Sequence, residues 1–123
     1  MPIRRVVLQP VIEIGAAQGQ DVRFAVPSGS AKSGLALLNV MKNGSAGTVT
    51  VDILGATSMN LLDPATGSNS FWLQLKTPGI NVGAAAVGSL KGVLTDIPDF
   101  IRWKVTGSPV TFQFEIVLYL YDT

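Results

Sequence analysis

Residues 110–121 read VTFQFEIVLYLY. Alternate residues of a β-strand point to opposite faces. One face of this stretch carries five large apolar side chains, at Phe112, Phe114, Ile116, Leu118 and Leu120. The other face begins polar and becomes apolar at Val117, Tyr119 and Tyr121. A strand that is apolar on both faces needs cover on both sides, so the stretch predicts a strand in a sheet interior or in a seam between subunits.

Short period-two segments separated by clusters of Gly, Pro, Asn and Ser fill the rest of the chain. The predicted strands are residues 4–14 (bent at Pro10), 21–26, 35–42, 48–54, 70–76, 99–106 and 110–121, with 84–94 either a short strand or one helical turn. Thirteen glycines leave few windows for a helix, because each costs about 1 kcal/mol relative to Ala. Residues 1–123 are therefore predicted to form one all-β domain, an antiparallel β-sandwich, jelly-roll-like, of seven or eight strands with little or no helix.

The connections follow from composition. Residues 42–47 are predicted to make a hairpin between the third and fourth strands, and residues 107–109 a tight turn before the last strand. Residues 27–34, 60–69 and 77–83 are predicted loops, and residues 1–8 a possible N-terminal arm ahead of the domain.

Strand alternation gives the two tryptophans different surroundings. Trp103 shares its face with apolar residues and is predicted to lie in the core, whereas Arg102 and Lys104 are predicted on a solvated or partner-facing surface. Trp72 falls on the polar face of its strand. An outward Trp is an interface anchor, a stacking platform for a ligand, or a side chain half covered by a loop.

Composition excludes most catalytic chemistry. The chain has no His and no Cys, so it lacks Ser-His-Asp triads, thiol nucleophiles, disulfides and the usual zinc ligands. Glu13 and Glu115 are predicted to be outward strand residues rather than a glycosidase pair. The Asx residues of 60–69 and 96–99 are predicted to form turns rather than a calcium site. We therefore predict no enzyme activity, no catalytic or metal site and no cofactor.

Missing charge is the unusual feature of the composition. Charged residues make up 14% of the chain, against roughly 25% in an ordinary soluble protein. The net charge of +1 and the scattered basic residues argue against nucleic acid or an anionic membrane as partner. The deficit falls on the third strand and on the end of the last one, which predicts surface that other copies or a larger assembly cover.

Residues 94–120 resemble a pattern near the C-termini of small β-sandwich structural proteins of tailed bacteriophages and prophages. The resemblance is carried by FIRWKV at residues 100–105, GSP at 107–109 and TFQFEI at 111–116. It implies a hairpin at this position. It also implies a virion component such as a capsid decoration, or cement, protein, and proteins of that class often form trimers at local symmetry axes. The same resemblance is equally consistent with other virion roles, such as a tail or fibre component.

These observations predict a non-enzymatic virion structural protein, made in the host cytoplasm, that binds a shell of major capsid protein as a homo-oligomer, a trimer by the resemblance. Contacts with the shell are expected in residues 2–8, which include Arg4 and Arg5, and in the loop 60–69. The seam between subunits is expected at Trp72, Val117, Tyr119 and Tyr121.

Two other functions fit the same residues. A carbohydrate- or surface-binding β-sandwich module would use Trp72, Tyr119 and Tyr121 as outward aromatic platforms. A self-assembling β protein of cellular origin would need only the apolar strand faces.

Overall fold

A computed structural model describes residues 2–57 and 72–122 of the chain. The predicted loop 60–69 and the first two residues of the predicted strand 70–76 lie outside the described residues. The strands are β1 (Ile3–Ile14), β2 (Gln18–Gly19), β3 (Val26–Pro27), β4 (Ser33–Lys42), β5 (Val49–Ala56), β6 (Leu73–Gln74), β7 (Ile80–Val82), β8 (Gly88–Leu94), β9 (Phe100–Thr106) and β10 (Phe112–Tyr121). A 3₁₀ turn covers Val22–Phe24.

The described strands form two antiparallel sheets, so the prediction of an all-β antiparallel fold is confirmed. The first sheet has the strand order β1-β10-β4-β8. In the second sheet β9 pairs with β2, β3 and β5, and β5 also pairs with β6 and β7. The main core cluster is formed by apolar side chains from both sheets, including Leu38, Ile53 and Trp103. Within the described residues, no helix is long and apolar enough to cross a membrane.

Strand β10 lies inside the first sheet, between β1 and β4, which confirms the prediction of an interior position. The five apolar side chains of its inner face are fully buried, at Phe112, Phe114, Ile116, Leu118 and Leu120. Trp103 from the second sheet meets Phe114 edge to face, with ring centroids 5.2 Å apart and an interplanar angle of 89°. The prediction that Trp103 belongs to the core is confirmed.

The hairpin predicted at residues 42–47 and the hairpin that the resemblance implies at 107–109 are both wrong, because each segment joins the two sheets. Residues 42–47 lead from β4 in the first sheet to β5 in the second, and residues 107–109 lead from β9 back to β10. The two crossings are tied together. The Gly44 amide donates to the Val110 carbonyl at 2.8 Å, and the Val110 amide donates to the Ser45 hydroxyl at 3.0 Å. Local turn chemistry does not reveal which sheet receives the next strand.

The predicted strand 21–26 is also wrong over most of its length. The Asp21 carboxylate accepts a hydrogen bond from the Arg23 amide at 2.9 Å, and this local bond favours the 3₁₀ turn over an extended ladder. The predicted N-terminal arm is wrong as well, because residues 3–8 belong to β1 and pair with β10. Of the two alternatives for residues 84–94, the structure has a strand, β8.

Candidate functional site

A candidate interaction surface is the outer face of the first sheet, the side turned away from the second sheet. Its members alternate with the buried residues of each strand. They are Ile3, Arg5 and Val7 on β1, Val117, Tyr119 and Tyr121 on β10, Ser33, Leu35 and Leu37 on β4, and Lys91 and Val93 on β8. We call this set the outer face.

The register of the strands arranges the outer face in rows. The first row runs Ile3, Tyr121 and Ser33. The second runs Arg5, Tyr119, Leu35 and Val93, and the third runs Val7, Val117, Leu37 and Lys91. Three adjacent rows are therefore mainly apolar, with Arg5 on one edge strand and Lys91 on the other.

A polar row closes the apolar part of the sheet. The Ser89 hydroxyl donates to the Asn39 side-chain carbonyl at 2.6 Å, and the Asn39 amide donates to the Glu115 carboxylate at 2.9 Å. Glu115 therefore lies outward, as the sequence predicts, with its carboxylate held by a neighbouring strand.

The outer face is exposed at its margins and dense at its centre. Ile3 is 63% exposed and Val93 is 62% exposed, whereas Val117 is 3% exposed because it lies on a central strand between flanking side chains. Tyr119 and Tyr121 are half-buried. Contiguous apolar surface bordered by charges is typical of an interaction site.

The structure brings together four of the six predicted interface residues, namely Arg5, Val117, Tyr119 and Tyr121. The sequence predicts shell contacts for residues 2–8 and a subunit seam for the end of β10. Register places these two segments side by side on the outer face. The sequence signal for Ile3, Val7 and Val93 is weak, because their strands have apolar residues on both faces and the pattern does not reveal which side is outward.

Arg4 lies elsewhere, at the end of the sandwich. Its guanidinium forms an ion pair with Asp122 at 3.0 Å and donates to the Ser28 carbonyl at 2.6 Å. The hydrogen bond from Arg4 lowers the pKa of Asp122 below its ordinary value. Arg4 therefore connects β1 to the residue that follows β10 and to the loop that follows β3.

Trp72 is buried, so it is neither an outward interface anchor nor an exposed platform for a ligand. Its side chain is 1% exposed and packs with Ala25, Leu54 and Ala56 in a second, smaller cluster. The Arg102 guanidinium carbon lies 5.0 Å from the centre of the Trp72 ring, and Arg102 is 4% exposed. The prediction of a solvated or partner-facing Arg102 is therefore wrong. Arg102 lies on the face of β9 turned away from the main core, but other segments of the same chain cover that face.

Asp52 is a buried acid on the same side of the second sheet. It lies opposite Lys104 across the β5–β9 ladder, and it is 8% exposed. Burial raises the pKa of Asp52, while a hydrogen bond from Gln74 and the charge of Lys104 oppose the rise. Its Oδ1 atom has no hydrogen-bond partner among the described residues.

We expect Asp52→Asn to increase the free energy of unfolding at neutral pH. A carboxyl whose folded pKa lies above its unfolded value loses stabilising free energy as the pH rises from the unfolded value through the folded one. The amide carries no charge and escapes this loss. Urea unfolding from pH 3 to pH 8 should show an advantage for the variant that grows with pH. A constant difference, or a less stable variant at pH 7, would contradict the role of burial.

A cleft of about 580 Å³ opens between β1 and residues 18–26, with Trp103 among its lining residues. The polar side chains there bond within the protein. The Gln9 side-chain carbonyl accepts from the Trp103 indole at 3.1 Å, and the Gln20 amide donates to the Leu8 carbonyl at 2.8 Å. The two glutamines therefore connect β1 to β9 and to the segment before the 3₁₀ turn, at the wall of this cleft.

Within residues 2–57 and 72–122, no three His, Cys, Asp or Glu side chains are grouped as a metal site. A scan against protein-family models, a search of curated proteins and a search of solved structures each found no match to this chain.

Proposed function

We propose that this chain is a non-enzymatic virion structural protein, a capsid decoration or cement protein that binds the outer shell as a homo-oligomer. The observation that carries the proposal is the outer face, where three adjacent rows are mainly apolar. A chain without His or Cys supports a binding role over catalysis. The resemblance of residues 94–120 to phage structural proteins suggests a capsid shell as the partner and a trimer as the assembly.

The outer face suits attachment to a repeating lattice. Its apolar rows would supply contact area, and Arg5 and Lys91 at its margins would orient the subunit. Many copies on one shell add avidity, so each contact is allowed to be weak. The carbohydrate-module alternative loses its main aromatic, because Trp72 is buried.

The test is cosedimentation of the purified protein with empty capsid shells of the phage or prophage that carries its gene. We expect binding by the parent chain and its loss in Val7→Asp, which puts a charge into the third row of the outer face. The matched control is Val110→Asp, because Val7 is 40% exposed and Val110, away from the outer face, is 50% exposed. Failure of the parent chain to bind, or equal loss in both variants, would refute the proposal.

A further inference from the structure

Strand β8 is an edge strand of the first sheet. It pairs with β4 along one side and, among the residues that the structure describes, with no strand along the other. Five of its seven residues are exposed. An exposed edge presents backbone N–H and C=O groups to another strand, and natural proteins usually protect such edges.

The opposite edge of the same sheet is protected. Strand β1 contains Pro10, its register with β10 shifts twice, and its Leu8 carbonyl is occupied by the Gln20 side chain. Proline, bulges and capped carbonyls all disfavour the addition of a strand. Strand β8 instead pairs with β4 without a register shift, and its one charged residue is Lys91. Among the residues that the structure describes, the first sheet therefore has one open edge that pairs without a register shift.

The sequence along this edge is nearly the same in both directions. Residues 87–93, which are the residue before β8 and the first six residues of the strand, read VGSLKGV. Leu90 is at the centre, with a glycine two residues away and a valine three residues away on each side. The three apolar residues of this segment are all exposed: Val87 at 64%, Leu90 at 36% and Val93 at 62%.

This symmetry selects a second copy of the chain as the partner. In an antiparallel pair centred on Leu90, each Leu90 faces the partner's Leu90, and Val87 faces the partner's Val93. Lys91 faces the partner's Ser89. A pair centred on Lys91 would instead place two like charges directly opposite, which is destabilising. Centring on Leu90 pairs Leu90 with Leu90 and brings Val93 opposite Val87, the residue before the partner's β8.

We propose that two copies of this chain pair through β8 in antiparallel register about Leu90, joining two four-stranded sheets into one of eight strands. The two outer faces then lie side by side as one surface. The pairing does not depend on a role in a virion. It gives a two-fold dimer, whereas the phage resemblance implies a trimer, so the two expectations are separable.

Cysteine cross-linking tests the register, because the parent chain has no Cys. Opposite residues of an antiparallel pair have Cα atoms about 4.5–5.5 Å apart, within the range that a disulfide spans. We expect Leu90→Cys to form a disulfide-linked dimer with oxidised glutathione. Val93→Cys is the control on the same strand, because in this register the two copies of position 93 would lie roughly 20 Å apart along the pair.

Disruption of the edge tests the pairing by a second route. We expect the parent chain to sediment with the mass of two chains, and Leu90→Lys to weaken the dimer by at least about tenfold, or 1.4 kcal/mol. Leu73→Lys is the matched control, because Leu73 is exposed on another strand. Circular dichroism and thermal unfolding verify that each variant remains folded.

A cross-link at position 90 but not at 93, with dissociation by Leu90→Lys alone, supports the pairing. A monomeric parent chain at high micromolar concentration, a cross-link at 93 in place of 90, or a dimer indifferent to Leu90→Lys overturns it. A trimer in which Leu90→Cys forms no cross-link also overturns it. Shell binding by the parent chain is measured separately, so failure of the β8 pairing and failure of the proposed function give different results.

Discussion

We expect Phe114→Ala to lower the free energy of unfolding by about 3–5 kcal/mol, the usual cost of removing a buried aromatic side chain. Phe114 is fully buried and lies between two other aromatic rings. Its ring centroid is 5.2 Å from that of Trp103 and 5.2 Å from that of Phe112. Truncation removes both ring contacts and leaves a cavity where the two sheets meet. Equilibrium unfolding in urea, followed by tryptophan fluorescence, measures the loss.

Phe24→Ala is the matched control for this experiment. The same atoms are removed, but Phe24 is 64% exposed at the 3₁₀ turn. We expect a change within about 1 kcal/mol, because little apolar surface returns to water. Equal losses in the two variants would mean that the aromatic cluster does not dominate the core.

The second large effect is expected at residues 107–109, which cross from β9 to β10. Gly107→Ala should lower the free energy of unfolding by about 1–3 kcal/mol. Gly107 has a φ of +97°, which side-chain-bearing residues rarely adopt. A Cβ there would lie 2.8 Å from the Thr48 carbonyl oxygen, a backbone atom that has little freedom to move. The variant must therefore shift the start of β5 or the end of β9.

Gly47→Ala tests whether the effect belongs to position 107. A Cβ at Gly47 meets no heavy atom within 4 Å, and we expect its free energy of unfolding to stay within about 1 kcal/mol of the parent value. Thermal unfolding of both variants measures the difference. A Gly107→Ala protein as stable as Gly47→Ala would show that the crossing tolerates a side chain.

Alternation along individual strands predicted much of the fold. It identified β4, β5, β9 and β10 within two residues at each end, and it placed Trp103 in the core. It failed where a short side chain accepts a hydrogen bond from a nearby backbone amide, as Asp21 does from Arg23. It also failed at Trp72, because period two says which side of a strand a residue occupies and not whether other segments cover that side.

The candidate site was predicted only in part for a related reason. The sequence marked Arg5, Val117, Tyr119 and Tyr121 as interface residues, but as members of two separate contacts. Register between β1 and β10 unites them, and residues in contact there are more than a hundred positions apart, for example Arg5 and Tyr119. No local pattern encodes pairing at such a distance.

Local sequence is enough to establish that the chain is all-β, that the end of β10 is apolar on both faces, and that the chain has no His or Cys side chain. These properties depend on side-chain type and on a period of two, both of which are read from neighbouring residues. Three other properties emerge only from the folded chain: which sheet each strand joins, which apolar faces are covered, and that β8 is an open edge among the residues that the structure describes. They depend on contacts between distant segments, which form only when the two sheets pack around one core.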